Sequence, residues 1–126
     1  MRIIGHGIDL IDLDKFGRLV DEPETDFVTR CFTTAERAYA EDGPNRTRRL
    51  AGRFAAKEAV AKALGTGFDG NVAPQDIEIK NQSTGQPAVI LHGAAADIAA
   101  NLGVMSWQIS ISHADTVAIA SVIALG

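Results

Sequence analysis

Four charged side chains lie on one alanine-rich segment near the middle of the sequence. The stretch GRFAAKEAVAKALGTG, residues 52–67, carries Arg53, Lys57, Glu58 and Lys62 among small and bulky apolar residues. Projected at about 100° per residue, Arg53 and Lys57 fall on the bulky apolar arc, alanines form the opposite arc, and Glu58 and Lys62 lie on the seam. A helix with two faces fit for packing leaves little surface for charges that are merely solvated.

These charges have two interpretations. In the first, Glu58 and Lys62 form an i,i+4 pair worth about 0.2–0.5 kcal/mol, while Arg53 and Lys57 extend their charged ends to water. In the second, the seam borders a cleft for an anionic ligand such as phosphate, because an unpaired buried charge costs several kcal/mol and needs a partner. A phosphate here would need Lys62 and the amides of the following glycine turn to outweigh the negative pole of the helix dipole.

The N-terminal sequence predicts the elements that precede this helix. In RIIGHGIDLI, residues 2–11, β-branched residues alternate with glycine, which predicts a strand with Asp9 near its end. Helical spacing follows over residues 13–20. The carboxylate of Asp9 is therefore expected at the edge of a strand.

Two helix boundaries are marked by local signals. Thr33 stands three residues before Glu36, which is the capping-box pattern of a helix start. The charged helix is predicted from Arg46 to Leu64, and Gly65 and Gly67 end it because glycine tolerates the left-handed conformation that closes helices.

The C-terminal half predicts a hairpin, a helix and two further strands. The strands DIEIK and PAVILH are joined by NQSTGQ, and an alanine-rich helix over residues 93–103 follows. Residues 107–113 alternate strictly, whereas residues 116–125 are apolar on both faces and belong in the middle of a sheet. The order of elements predicts a small α+β domain, residues 1–126, with a largely antiparallel sheet packed on a long central helix.

Composition restricts the classes of protein that the chain could represent. With 126 residues, 46% hydrophobic and 22% charged, it matches one ordinary globular domain in the cytoplasm. The net charge of -4 and pI near 5.2 argue against a nucleic-acid partner, and no apolar run approaches the length of a membrane span. Cys31 is a single cysteine, which excludes an intrachain disulfide and a cysteine-rich zinc site.

Four motifs together resemble a known family. GHGIDLIDLDKF, GRFAAKEAVAKALGTG, NQSTGQP and SISHADTVAIA occur in this order over nearly the whole chain, and they resemble the holo-acyl-carrier-protein synthase type of phosphopantetheinyl transferase. The resemblance implies magnesium-dependent transfer of the 4'-phosphopantetheine arm of coenzyme A to a serine of apo acyl carrier protein, with release of adenosine 3',5'-bisphosphate. It implies a role in lipid metabolism, with fatty acid and polyketide carriers both left open.

The resemblance also assigns roles to the charged residues. Asp9 and Glu58 would bind Mg²⁺, a hard ion that prefers oxygen and commonly takes only one or two protein carboxylates. Lys62 would contact phosphate oxygens or the developing charge of the leaving group. Arg53 and Lys57 are candidates for the remaining phosphates of coenzyme A, although Lys57 could equally brace a structural carboxylate.

Backbone and turn residues complete the implied coenzyme A site. Gly65 and Thr66 would offer backbone and hydroxyl donors at the end of the long helix. In the family, the hairpin turn that matches Gly85 and Pro87 lies against the adenine nucleotide. The resemblance therefore joins two segments that are distant along the chain into one binding site.

His113 ends an alternating strand and has two interpretations. By resemblance it lies at the cleft, but many such histidines simply hydrogen-bond a neighbouring backbone group. The base that deprotonates the acceptor serine is left open among a metal-activated water, Glu58 and His113.

The resemblance implies protein partners as well. Short members of the family are homotrimers, with sites between the carboxylate-bearing helix of one chain and the hairpin turn of the next. Lys15 and Arg18 on the first helix would face an acidic carrier protein, although Asp14 departs from a position that is commonly basic. A module that binds coenzyme A or nucleotide without catalysis is the alternative, and the presence of both Asp9 and Glu58 weighs against it.

Overall fold

An antiparallel sheet of three strands and one long helix form the centre of the fold. The computed structural model describes residues 1–68 and 71–126. Its α-helices and strands are β1 Ile3–Asp12, α1 Leu13–Asp21, α2 Phe27–Cys31, α3 Thr34–Ala40, α4 Arg46–Leu64, β2 Ile77–Asn81, β3 Pro87–Leu91, α5 Gly93–Leu102, β4 Ser106–His113 and β5 Val117–Leu125. A short 3₁₀ helix, Pro74–Asp76, precedes β2. Strands pair in the order β1-β5-β4, and β2 pairs with β3 in a separate hairpin. The predicted α+β fold class is confirmed.

Strand β5 is apolar on both faces because it lies between two other strands. Alternate side chains, from Ala118 to Ala124, are buried on the face that packs against α4. The intervening side chains are half-buried on the other face. The prediction that residues 116–125 occupy the middle of a sheet is confirmed.

The long helix begins and ends where its sequence signals predict. Helix α4 spans Arg46–Leu64, and Gly65 closes it in the left-handed conformation, with φ of 80°. The capping box of α3 is also present. The Thr33 amide donates to Glu36 Oε1 at 2.9 Å, and the Glu36 amide donates to the Thr33 hydroxyl oxygen at 3.2 Å. The predicted hairpin and the alanine-rich helix α5 are likewise confirmed.

Two features of the N-terminal half differ from the prediction. Strand β1 continues to Asp12, so Asp9 lies inside the strand rather than near its end. The extension arises because the residues after Asp9 continue to pair with β5, as far as Asp12 opposite Val117. Helix α2 was not predicted, since its five residues are too few for a periodic signal.

One face of the three-stranded sheet carries exposed apolar side chains. Ile8 is 50% exposed and Leu10 is 58% exposed. They pair across β1 and β5 with Ser121 and Ile119, respectively. An exposed apolar strip of this kind is typical of a surface that contacts another protein.

None of the helices in the described parts of the chain combines the length and apolarity that spanning a bilayer requires.

Candidate active site

Helix α4 packs directly on β1 because both surfaces are made of small residues. A Cβ atom placed on Gly5 would overlap the carbonyl oxygen of Ala63, and one placed on Gly7 would overlap the carbonyl oxygen of Ala59. The helix backbone therefore rests on the strand backbone at these two positions. This close approach brings the next residue on the same face of β1, Asp9, beside the seam of α4.

Asp9 and Lys62 form an ion pair across this contact. The Lys62 ammonium donates to Asp9 Oδ1 at 2.9 Å and to the carbonyl oxygen of Ile8 at 2.9 Å. The Lys62 side chain is 52% exposed and that of Asp9 is 17% exposed. The pair therefore lies at the surface of the cleft, with one ammonium hydrogen left for a ligand.

Glu58 joins the same group of charges from one helical turn before Lys62. Its side chain is half-buried, and this burial raises the pKa of its carboxyl group above the ordinary value. The nearby negative charge of Asp9 raises this pKa further, whereas Lys62 lowers it. Among the described residues, no hydrogen bond or ion pair engages the Glu58 carboxylate. The structure thus brings Asp9, Glu58 and Lys62 together where β1 meets α4.

Arg53 and Lys57 lie on another side of α4. At about 100° per residue, Lys57 precedes Glu58 by about 100° and Lys62 by about 140° around the helix axis. Both cationic side chains are buried, with relative exposures of 5% for Arg53 and 0% for Lys57. Within one chain, these two cations therefore lie on a buried face of α4, whereas Glu58 and Lys62 lie on the seam beside β1.

Lys57 is fully paired inside the protein. Its ammonium contacts Glu36 Oε1 at 2.7 Å and donates to the carbonyl oxygens of Pro74 at 2.9 Å and Ile77 at 2.6 Å. Burial lowers the pKa of Lys57, and the carboxylate of Glu36 opposes this shift. Of the two roles that the sequence left open for Lys57, these contacts support the brace for a structural carboxylate. Glu36 itself was recognised in the sequence only as a helix cap.

Arg53 is held between two neighbouring elements. One guanidinium nitrogen, Nη2, donates to Asn81 Oδ1 at 2.6 Å, and the guanidinium carbon lies 3.8 Å from the centre of the Tyr39 ring. Burial lowers the pKa of Arg53, and Tyr39 and Glu36 oppose this. Its Nε is buried with no hydrogen-bond partner in the described part of the chain. These interior contacts do not support the predicted phosphate role within a single chain.

The predicted donors after α4 are engaged in closing the helix. The amide of Gly65 donates to the Lys62 carbonyl oxygen, and that of Thr66 donates to the Ala61 carbonyl oxygen. The Thr66 hydroxyl donates to the carbonyl oxygen of Gly67 at 2.9 Å. These groups lie at the end of α4 that carries Lys62, but a phosphate would have to displace existing hydrogen bonds to use them.

Gly85 lies in the hairpin turn and Pro87 is the first residue of β3, near the edge of the main sheet opposite the one that carries Asp9. Strand β4 forms the edge farthest from β1. A polar cavity of about 330 Å³ separates the hairpin from β4, lined by Gln82, Gln86, Pro87, Trp107, Gln108, Ile109, Ser110 and Ile111. One chain therefore does not bring the turn and the carboxylates together.

His113 contacts the first half of α4 rather than the carboxylates. Its Nε2 lies 3.1 Å from the carbonyl oxygen of Arg48, and its ring packs against Gly52. Gly52 precedes Glu58 by about 9 Å along the helix axis at 1.5 Å per residue. Since a carbonyl oxygen only accepts, Nε2 carries the hydrogen of this bond. The backbone hydrogen bond that the sequence left open for this histidine is present.

An apolar groove lies beside the carboxylates and was not predicted from the sequence. It has a volume of about 360 Å³ and is lined by Leu10, Ile11, Asp12, Lys15, Phe16, Leu19 and Phe54. The groove separates β1 from α1 and begins at the residue that follows Asp9. No sequence periodicity could identify it, because its walls come from three separate elements.

The sequence matches known proteins over almost its whole length. Residues 5–120 match the model of the 4'-phosphopantetheinyl transferase superfamily. A holo-[acyl-carrier-protein] synthase of Solibacter usitatus is 43% identical, with 96% of this chain and 97% of the relative covered. That of Solidesulfovibrio magneticus is 45% identical, with 98% and 99% covered.

Solved structures agree with the sequence relatives. The crystal structure of holo-[acyl-carrier-protein] synthase from Neisseria meningitidis has a TM-score of 0.89 and 31% identity, covering 99% of this chain and 100% of the relative. That of Bacillus anthracis, in complex with coenzyme A (3',5'-ADP), has a TM-score of 0.79 and 36% identity, covering 97% and 96%. The chain belongs to the 4'-phosphopantetheinyl transferase superfamily and, within it, to the holo-[acyl-carrier-protein] synthases.

Proposed function

We propose that this chain transfers the 4'-phosphopantetheine group of coenzyme A to a serine of apo acyl carrier protein in a magnesium-dependent reaction that releases adenosine 3',5'-bisphosphate. The observation that carries the proposal is the convergence of Asp9, Glu58 and Lys62 where β1 meets α4. Coenzyme A in the Bacillus anthracis relative supports the choice of donor.

The residues at this position fit a magnesium ion. Asp9 and Glu58 supply carboxylate oxygens, which Mg²⁺ prefers, and the charge of Asp9 contributes to the raised pKa of Glu58. These two residues would hold the ion, and the remaining positions of its octahedron suit water and substrate phosphate. When bound, the ion would neutralise negative charge on the pyrophosphate and on the leaving group.

Lys62 would serve both the site and the substrate. Its two hydrogen bonds, to Asp9 and to the Ile8 carbonyl oxygen, fix the ammonium above the carboxylate. A third N–H remains for a pyrophosphate oxygen, because an ammonium has three donors. Lys62 thereby orients Asp9 and attracts the anionic substrate to the same position.

The acceptor serine needs a base, and two side chains stay open for this role. The Glu58 carboxylate has no hydrogen-bond partner among residues 1–68 and 71–126, and burial raises its pKa, which suits proton acceptance directly or through one water. His113 is held on α4 by the Arg48 carbonyl oxygen, away from the carboxylates of its own chain. His113 could therefore reach the reacting serine only from a neighbouring subunit.

A homotrimer would complete the site. One chain leaves its hairpin turn and its carboxylates on opposite sides of the sheet, and the apolar strip around Ile8 and Leu10 is open. Burying that strip between copies would bring the turn of one subunit toward the helix of the next in a closed ring. Light scattering tests this assembly: a mass three times that of the chain is expected, and a monomer in dilute solution would contradict it.

The carrier protein would dock on α1. Lys15 and Arg18 are exposed on this helix, and the apolar groove lies between it and the strand that carries Asp9. An acidic carrier docked there would have its serine close to the carboxylates. The cytoplasmic location and the absence of a nucleic-acid partner stay predictions, and fatty acid and polyketide carriers are both candidates for the acceptor.

Reversing the charge of Lys15 and Arg18 is expected to weaken carrier recognition selectively. The double change to glutamate should raise KM for the carrier about 10-fold to 100-fold, because each lost surface pair costs up to about 1 kcal/mol and like charges now repel. KM for coenzyme A should stay unchanged. Reversing the charge of Lys80, which is exposed on the hairpin, is the matched control. An unaltered KM for the carrier would place docking elsewhere.

The reaction is tested by incubating the purified chain with coenzyme A, Mg²⁺ and several apo carrier proteins. The carrier mass should increase by one phosphopantetheine group, and adenosine 3',5'-bisphosphate should appear in equal amount. No addition to any carrier would overturn the proposal. Coenzyme A binding without transfer would instead support the non-catalytic binding module.

A further inference from the structure

Two buried cations connect the long helix to the β2–β3 hairpin. Lys57 donates to the carbonyl oxygen of Ile77, the first residue of β2. Arg53 donates to the side chain of Asn81, the last residue of β2. The two cations are one helical turn apart on α4, so their bonds reach opposite ends of the same strand.

The Lys57 connection leaves no donor for a ligand. Its three ammonium hydrogens match three acceptors, which are the Glu36 carboxylate and the carbonyl oxygens of Pro74 and Ile77. Glu36 in turn accepts from the amide of Ile79 at 2.9 Å, which is the middle of β2. Lysine and glutamate therefore act as one buried unit that binds the backbone of the hairpin.

Arg53 also contacts residues of its own chain on two sides of its guanidinium. Its guanidinium is covered by the ring of Tyr39 on α3 and bonded to Asn81 on β2. Only about one twentieth of the residue is exposed, at 5%. A phosphate could reach this guanidinium only if the hairpin or α3 moved away.

The hairpin needs such connections more than the main sheet does. An isolated two-stranded hairpin is marginally stable in water, so its tertiary contacts decide where it lies. Apolar burial is non-directional, whereas hydrogen bonds fix distance and angle. Polar contacts at both ends of β2 therefore fix the direction of the strand and the position of the turn beyond it.

We propose that Arg53 and Lys57 are positioning residues that clamp the β2–β3 hairpin on α4, and so set where the turn with Gly85, and Pro87 beside it, meet the nucleotide. The clamp is defined by the bonds of Arg53 to Asn81 and of Lys57 to Glu36 and Ile77. The effect on nucleotide binding rests on the proposed function, whereas the mechanical effect on the hairpin does not.

The test changes the partner and leaves both cations in place. Asn81→Leu removes the acceptor of Arg53, and Asn81→Asp retains one with added charge. In the ligand-free protein, Asn81→Leu should speed hydrogen exchange of the hairpin amides at least about 10-fold while α4 amides keep their protection. Asn81→Asp and the control Lys80→Leu, on the same strand, should exchange like the unmodified protein. Unchanged hairpin exchange in Asn81→Leu would overturn the clamp.

Kinetics with coenzyme A separate a clamp from a direct phosphate contact. Asn81→Leu should raise KM for coenzyme A several-fold with kcat nearly unchanged, and Arg53→Lys should add little to Asn81→Leu, because both changes break the same bond. Either of two results would mean that the guanidinium binds phosphate itself. One is a lower KM for coenzyme A in Asn81→Leu, and the other is an Arg53→Lys change that raises this KM as much in Asn81→Leu as in the unmodified protein. Hydrogen exchange is measured without coenzyme A or carrier protein. A chain that is inactive in transfer would therefore refute the proposed function, and the exchange result would still test the clamp.

Discussion

Asp9→Asn and Glu58→Gln are each expected to lower phosphopantetheine transfer at least about 1,000-fold, which corresponds to about 4 kcal/mol of transition-state stabilisation. Both substitutions keep the shape of the side chain and remove one negative charge from the group that faces Lys62. The loss is large because phosphoryl-type transfer depends almost entirely on positioning and charge neutralisation. Initial rates of carrier mass increase, at saturating coenzyme A, measure it.

The two carboxylates should behave as one unit. If both hold the same ion, the double variant should be little worse than either single variant, as is usual for residues that act together. Mg²⁺ binding measured by calorimetry should be lost in all three. Asp97→Asn, an exposed aspartate on α5, is the matched control and should bind and transfer normally. If the losses of transfer rate in the two single variants multiply in the double variant, the carboxylates serve separate steps.

Glu58→Gln should not unfold the protein. Glu58 accepts no hydrogen bond from the described residues, and burial together with the charge of Asp9 raises its pKa, so its ionised form is already disfavoured where it lies. Removing that charge should leave the free energy of unfolding equal or slightly higher. A variant that loses activity by unfolding would instead show a lowered transition temperature by circular dichroism.

The features that the sequence predicts well are those that depend on residues close together in the chain. Helix α4 ends at Gly65 because a residue in the left-handed conformation closes it, and the capping box of Thr33 is complete within four residues. Asp9 and Glu58 could be paired through the family motifs, although their positions along the chain are distant. Local signals and motifs therefore fixed most elements and the centre of the candidate site.

The contacts of Arg53 and Lys57 were harder to predict because their partners are distant in sequence. Glu36 and Asn81 carry no periodic signal that links them to α4, and both bonds depend on how α3 and the hairpin pack. One signal did exist in the helical projection. Both cations fall on the bulky apolar arc, which is the face that packing buries, whereas Glu58 and Lys62 lie on the seam. Position around the helix thus separates the structural charges from those of the site.

Gly7→Ala is expected to produce the largest loss of stability, at about 3 kcal/mol or more. Overpacking a core usually costs about 1–3 kcal/mol, and the upper end applies because the new Cβ would overlap a backbone carbonyl of Ala59 that no rotamer change can move. Helix α4 would have to withdraw from β1. Since a misplacement of about 1 Å can cost about 100-fold in rate, the folded fraction should also transfer poorly.

Urea unfolding distinguishes this steric effect from the general cost of replacing glycine. Gly17→Ala, in helix α1, places a Cβ 3.5 Å from a methyl group of Thr47, which is ordinary contact. That variant should be stabilised by about 0.5–1 kcal/mol because alanine favours helix more than glycine does. A lower midpoint for Gly7→Ala with an equal or higher one for Gly17→Ala supports direct backbone packing of α4 on β1. Equal midpoints would mean that α4 does not rest on the strand where Asp9, Glu58 and Lys62 converge, and the geometry of the whole site would then be wrong.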